Sequence, residues 1–268
     1  MPAHIRPAAV AGMFYPDAPD ELAHMVDQFL AQASRNKKSC PSPKALIVPH
    51  AGYIFSGPVA ASAYIRLSDC TVPPKRVVLI GPTHRVMVEG LALPDVEAFA
   101  TPLGEVALDM EAIRRIGELP QVTTNAVAHA IEHSLEVQLP FLQRALSEFR
   151  LIPLAAGNAS PESVAEVLDQ LWDGEETIIV ISSDLSHYLP YEQATNVDML
   201  TAQAIVGRKW PITHQQACGA TGINGLLAAT ARHLMQAHLL DLRNSGDTAG
   251  DKARVVGYGA FALCEDTP

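Results

Sequence analysis

Short apolar runs recur along this chain, and three of them lead directly into a histidine. Residues 45–48 (ALIV) are uniformly apolar with β-branched members, the pattern of a strand buried on both faces. Pro49 cannot donate to a ladder, so the strand ends there. His50 follows, then Gly52 and a helical spacing at Val59, Ala60, Ala63, Tyr64 and Leu67. Residues 76–80 (RVVLI) run into Gly81-Pro82-Thr83-His84, and residues 177–181 (TIIVI) into Ser182-Ser183-Asp184-Leu185-Ser186-His187. Strand, polar residue, helix is the order by which open α/β sheets aim functional side chains at their carboxyl edge.

The intervening segments extend the alternation. Leu22, Met25, Val26, Phe29, Leu30 and Ala33 follow helical spacing and predict an amphipathic helix with Pro19 in its first turn. Residues 35–44 read as a polar, proline-containing loop. Strands are predicted at 88–93 and 105–108 with a turn at 99–104 (FATPLG), after which Asp109 caps a helix through Leu119. Leu135, Leu139, Leu142 and Leu146 mark a helix over 134–146 that Pro140 kinks or splits, with His133 at its start. A buried strand at 151–154 precedes Ser160 and Pro161, the N-cap and first-turn proline of a helix through Leu171. Helices are predicted at 191–206, 211–217 and 222–238, then strands at 239–243 and 254–263 around the turn-rich NSGDTAGDK. No Gly/Ser linker divides the chain. The pattern predicts a single three-layer α/β domain over residues 1–268, with a central, mostly parallel or mixed sheet flanked by helices.

Composition narrows the function classes. With 268 residues, 48% hydrophobic and 18% charged, the chain can bury a substantial core and is neither disordered nor membrane-like. No apolar run approaches the roughly eighteen residues of a membrane span, and the opening MPAHIRPAAVAGMFYP, interrupted by His4, Arg6 and Pro7, does not read as a signal peptide. A soluble, cytoplasmic protein without a membrane partner is expected. A net charge of −10 without a Lys/Arg cluster argues against nucleic acid, whose binding needs a basic face. Cys40, Cys70, Cys218 and Cys264 are widely spaced with no C-x-x-C pair, as expected of free thiols in a reducing compartment.

His50 and His84 stand at equivalent strand ends. On neighbouring strands those ends lie about 5 Å apart, where two imidazoles can share one cation; singly, each would only cap its strand. Asp184 precedes His187 by three residues, a spacing that lets a carboxylate orient an imidazole for acid–base work, or that forms a helix cap followed by a surface histidine. Ser182 and Ser183 lack a G-x-S-x-G elbow, which disfavours a serine-hydrolase triad. Cys218, before Gly219 and a helical pattern, is either a thiol of lowered pKa at a helix amino end or a small buried hydrophobe. His133 joins the cluster or caps its helix. His24, His233 and His238 fall in helical patterns and read as surface residues.

Six short motifs occur in order: residues 6–16 (RPAAVAGMFYP), Pro49-His50-Ala51-Gly52-Tyr53 with Ser56-Gly57, Gly81-Pro82-Thr83-His84, Glu132-His133-Ser134-Leu135-Glu136, residues 182–188 (SSDLSHY), and Cys218-Gly219. Each is weak alone, but together they are specific, and over nearly its whole length the chain resembles the Memo family, called AmmeMemoRadiSam system protein B in bacteria and archaea. The resemblance implies a fold related to the class III extradiol dioxygenases, which are non-haem iron enzymes. It implies a metal site ligated by His50, His84 and Cys218, with His133, Asp184 and His187 lining the same pocket and His187 similar to the dioxygenases' acid–base histidine. Asp184 is expected to act with His187 as a catalytic group, and Tyr53 and Ser182 to line the substrate pocket with His133. The departure from the dioxygenases is the third ligand, a thiolate where they use a carboxylate.

A two-nitrogen, one-sulfur set suits iron or copper, with zinc as a further candidate. A thiolate beside a redox metal is itself open to oxidation, which favours a redox or oxygen-sensing role over ordinary oxygenase turnover. The resemblance thus implies a metal-binding, non-haem iron or copper oxidoreductase acting on an unidentified small substrate. Eukaryotic Memo proteins are described as binding phosphotyrosine peptides and supporting copper-dependent redox signalling, so a non-catalytic phosphopeptide or partner-protein binding module is the alternative. A zinc-dependent hydrolase is the third reading. The family name also implies a functional link to radical-SAM and AMMECR-type proteins.

Overall fold

The computed structural model describes residues 4–35, 42–172 and 174–265. Its first half comprises β1 (Ile5–Arg6), α1 (Pro19–Arg35), β2 (Pro43–Val48), α2 (Tyr53–Tyr64), β3 (Arg76–Pro82), β4 (Leu91–Leu93), β5 (Ala98–Thr101), β6 (Gly104–Ala107) and α3 (Met110–Ile116). Next come β7 (Val122–Thr124), α4 (Ala126–Ala130), α5 (His133–Glu136), α6 (Leu139–Ala145), β8 (Arg150–Ala156), α7 (Pro161–Leu171) and β9 (Thr177–Ser182). The chain closes with β10 (His187–Leu189), α8 (Tyr191–Val206), α9 (Ala220–His233), β11 (Met235–Asn244) and β12 (Val255–Glu265).

The fold is α/β, with a mixed sheet flanked by helices. Its centre is the parallel set β2-β9-β3-β8, buried along almost its whole length, so these strands read in the sequence as unbroken apolar runs. On one side β12 pairs antiparallel with β2 and also carries β10 and β11; on the other, β4 pairs antiparallel with β8 and parallel with β7. Helix α2 packs on β2 and β12 with α1 and α6 against it, while α9 packs on β3 and β9 with α7 against α9. Strands β1, β5 and β6 form a separate small sheet.

Several sequence expectations need correcting. Residues 99–101 are not a turn: they belong to β5, which pairs with β1 and β6, and the reversal falls between Thr101 and Gly104. Residues 211–217 form turns instead of a helix, because the Asn224 side chain takes both the Ile212 N–H and its carbonyl, at 2.7 and 2.8 Å. Helix α9 stops at His233, where Leu234 turns left-handed (φ 47°), and residues 235–238 pair with β12. His238 is therefore a strand residue. Pairing across the sheet overrode a Leu/Ala-rich pattern that suits a helix equally well. Strand β7, helix α4 and strand β10 were not anticipated; each is five residues or shorter. Part of the expected loop at 35–44 lies outside the described residues, and Pro43 and Lys44 belong to β2. Helix α6 begins at Leu139 with Pro140 in its first turn, so the proline splits the predicted helix as expected.

The segment before α1 is locked down by one buried acid. Glu136, fully buried on α5, accepts from Arg6 Nη1 at 2.6 Å, from the N–H groups of Ala9 and Val10 at 2.8 and 2.9 Å, and from the Tyr15 hydroxyl at 2.6 Å. Arg6 spends its other donors on the carbonyls of His129 and Glu132, at 2.6 and 2.8 Å. Removing one side of such a pair strands the other charge in the interior. Glu136→Ala is therefore expected to destabilise by about 3–5 kcal/mol, whereas Arg144→Ala, which breaks the exposed pair with Asp27, costs at most about 1 kcal/mol. Denaturant midpoints of the two variants check the ordering, and equal losses refute it.

Candidate metal centre

Strand β9 lies between β2 and β3, so His50 and His84 do not extend from adjacent strands as the sequence suggested. Two strand gaps separate their backbones by about 9–10 Å, and the side chains must converge above β9 to meet. They do: the ring centroids of His50 and His84 are 5.2 Å apart, and His133 from α5 stands 5.4 Å from the first and 4.6 Å from the second. The three imidazoles offer donor atoms within 4.8 Å of one another. The approach of α5 needs Gly81, where a Cβ would lie 2.7 Å from Ser134 Oγ and 3.0 Å from Leu135.

The hydrogen bonds behind the rings fix which nitrogens are free. Ser182 has one proton, and the Ser134 carbonyl at 2.6 Å can only accept it. The Gln138 amide nitrogen donates to Ser182 Oγ at 2.8 Å, so at 2.9 Å His50 Nδ1 must carry a hydrogen and donate as well. His50 Nε2 is left with its lone pair facing the Cys218 sulfur at 3.3 Å. His84 Nδ1 donates to Glu132 Oε1 at 2.8 Å, which turns its Nε2 away from the carboxylate, and His133 Nδ1 lies 3.3 Å from the same oxygen. A carboxylate behind a metal-binding imidazole orients the ring and raises its basicity.

Burial pushes most of the titrating groups here toward their neutral forms. His50 is held well below the ordinary imidazole value by burial, and then by His84 and His133. Burial also brings His133 down to about 4 and lowers His187. It raises Asp184 to about 7 and, with Asp184 nearby, pushes the Cys218 thiol up to about 12. The lowered thiol pKa expected from a helix amino end is thus corrected: α9 starts two residues later, and desolvation dominates. Glu132 is the exception. Burial works against its ionisation, yet donors from the His84 side chain and backbone and from the Ser134 N–H hold it down at about 2.

This donor set fits a cation. It offers ring nitrogens from His50, His84 and His133 and one anionic carboxylate behind two of the rings, with the Cys218 sulfur 3.3 Å from His50 Nε2. Nitrogen and sulfur ligands at about 2.0 and 2.3 Å in a tetrahedral site stand about 3.5 Å apart, close to the 3.3 Å between His50 Nε2 and Cys218 Sγ.

The remaining expected residues fall around this cluster in different ways. Asp184 Oδ1 accepts the His50 backbone N–H at 2.8 Å, and its Oδ2 lies 4.0 Å from His50 Nε2. His187 opens β10, next to Tyr188, which is held at φ 58°, a costly conformation for a bulky residue. Ser182 is fully buried beneath His50 and supports that ring rather than facing open space. Tyr53 is placed in the core: its ring packs on Tyr15 and Phe141, and its hydroxyl donates to the Val137 carbonyl at 2.7 Å. Its backbone N–H holds the Phe14 carbonyl at 2.8 Å, which sets the Phe14 ring 4.6 Å from His133. Glu132 and Phe14 were missed as site residues, although both stood inside quoted motifs. Cys70 and Cys218 are free thiols, as expected; Cys40 lies outside the described residues.

The Memo-like protein family profile matches residues 6–262 of this chain. The chain belongs to that family. A MEMO1 family protein of Aquifex aeolicus is 36% identical over 266 residues, covering 95% of this chain and 97% of the relative. One from Ignicoccus hospitalis is also 36% identical, covering 96% of this chain and 97% of its own length. Among solved structures, an uncharacterised Escherichia coli K12 protein superposes with a TM-score of 0.50 over 80% of this chain and 98% of its own, at 14% identity, a likeness of fold.

Two measurements check this account of the Memo site. In metal-free protein, nitrogen-15 spectra should show His50 as the neutral Nδ1–H tautomer from about pH 6 to 8, since burial holds its pKa well below the ordinary value; an imidazolium at pH 7 refutes the assignment. Glu132, with a folded pKa of about 2 against about 4.3 unfolded, contributes stability that is fully present above the unfolded value and lost as pH falls toward the folded one. The stability gap between wild type and Glu132→Ala, about 2–3 kcal/mol near neutrality, should therefore shrink between about pH 4.5 and 2. A gap that is flat with pH excludes the ionised carboxylate.

Proposed function

We propose that this Memo-family chain is a metal-binding protein whose cation is held by His50 and His84 with Cys218 completing the set, and that it works as a non-haem iron or copper redox protein on a small substrate. The observation that carries this reading is the convergence of oriented imidazoles from separate strands and a helix around one point, with a thiol beside them. When bound, the ion would supply Lewis acidity or one-electron chemistry at a position that three protein ligands leave open. His133 lies close enough to serve as a fourth ligand or to face the substrate.

The protein's own groups would manage protons. Asp184, at about 7, is divided between its two protonation states near neutral pH, the condition under which a carboxyl can both accept and donate. His187, neutral and half-buried on the next turn of chain, would receive or return a proton from the substrate side. Phe14 and Tyr188 would restrict water at the mouth. A single domain and a cytoplasmic setting belong to the same reading; no helix among the described residues is long and apolar enough to cross a membrane. A functional link to radical-SAM and AMMECR-type proteins is consistent with the family and awaits a partner assay.

Anaerobic titration with Fe(II) and with Cu(II) tests the metal half, with uptake of about one ion per chain expected. His50→Ala and His84→Ala should each weaken uptake by at least about tenfold. Cys218→Ala should retain histidine-dependent binding and lose the thiolate-to-copper absorption band. Uptake indifferent to all three substitutions sinks the site. Oxygen consumption with candidate catechols and amines then tests the redox half, and metal uptake without any redox change on the ion would remove it.

A further inference from the structure

Helix α8 exposes a side that does not suit an acidic chain's solvent face. Its buried side carries Ala194, Asp198, Thr201, Ala202 and Ile205 and packs on β11 and β12. Its exposed side presents Gln193, Asn196, Met199, Leu200, Gln203 and Val206, with Leu200 64% and Met199 47% exposed. In a chain of net charge −10, this side of a 16-residue helix carries one charge, Glu192 in the first turn. Depletion of charge around exposed large apolar groups marks an interface core more often than a solvated helix.

The charges at the ends indicate the occupant. The helix has exposed Glu192 in its first turn and runs out into Arg208, whose Nη1 donates to the Met235 carbonyl at 2.6 Å, and exposed Lys209. Leu200 is equidistant in sequence from Glu192 and Arg208. A twofold axis through Leu200, with two α8 helices antiparallel at a shallow crossing of about 20°, brings Glu192 of each copy beside Arg208 and Lys209 of the other. The helix is about 24 Å long, so the end charges match across its full length while the uncharged middle meets itself. An acidic chain repels its own copy across most of its surface. Glu192 is the exposed acidic residue of α8, Asp198 being buried, so the helix sets no acid against its own copy in that arrangement.

We propose that the exposed face of α8 is a twofold homodimer interface centred on Leu200, with Glu192 paired to Lys209 across it. Isologous pairing is the commonest way in which such a self-complementary patch is closed. The interface lies behind the candidate site, because Asp198 on the opposite side of α8 holds the Ser186 N–H at 2.9 Å, in the loop between Asp184 and His187.

Sedimentation equilibrium of the full chain tests the proposal. A dimer of 28.7 kDa protomers is expected. Leu200→Glu or Met199→Glu should raise its dissociation constant at least about tenfold, with an unchanged circular dichroism spectrum because both side chains are exposed. Glu192→Lys should weaken the dimer, and adding Lys209→Glu should restore it. A wild-type chain that sediments as a monomer up to about 100 μM overturns the proposal and leaves this face to another protein. A dimer insensitive to both apolar substitutions overturns the location, and charge reversal without effect overturns the antiparallel arrangement.

Discussion

Burying a carboxylate costs several kcal/mol unless its lone pairs are satisfied, and the Glu132 side chain meets that condition with the groups it organises. Its Oε2 accepts the His84 backbone N–H at 2.7 Å; its Oε1 accepts His84 Nδ1 and the Ser134 N–H, with His133 Nδ1 close by. The strand-end loop carrying His84 and the first turn of α5 carrying His133 are thereby referred to one anion. That anion is fixed from behind, because Arg6 holds the Glu132 carbonyl and is itself anchored by Glu136. Two histidines far apart in the sequence gain a common origin through charge-assisted hydrogen bonds.

The same burial shapes the electrostatics of the cleft. Imidazoles pushed down and an aspartic acid and a thiol pushed up leave Glu132 as the clearly ionised group among those whose shifts are resolved there. In that state neither His50 nor His133 presents imidazolium charge to an incoming cation. Burial likewise keeps the Cys218 thiol protonated, which protects the sulfur from oxidation. Under the proposed ligation, thiol ionisation and metal uptake would be one event, with a proton released.

The parallel core was legible because strands buried on both faces are written as uninterrupted apolar runs. His50, His84 and Asp184 could be placed at strand ends for that reason alone. The order of the strands was not legible: nothing in residues 45–48 or 76–80 says that β9 lies between them, and the distance between His50 and His84 depends on it. Short elements such as β10 were invisible for want of periodicity, and the end of α9 was missed because residues 235–238 suit either state until β12 is beside them. Tyr53 shared a motif with His50 yet turns into the core, since its place at the start of α2 directs its ring toward Tyr15 and Phe141. Glu132 was overlooked because a glutamate before a helix reads as a cap; it does accept the Ser134 N–H, and the imidazoles are added to that role.

The loop after β9 shows how such a site is held without regular structure. Its backbone cannot continue the ladder, because β2 stops at Pro49, so it turns to β12: the Leu185 N–H donates to the Gly257 carbonyl and the Gly257 N–H to the Ser186 carbonyl, both at 2.8 Å. Asp198 closes the arrangement from α8, and only glycine fits at 257, where a Cβ would lie 1.9 Å from Asp198 Oδ2. Any side chain there must displace a buried carboxylate, and with it the N–H that fixes Ser186. The spacing of Asp184 and His187 is therefore set by a helix and a strand, the rigid support that the acid–base role proposed for these two residues would need.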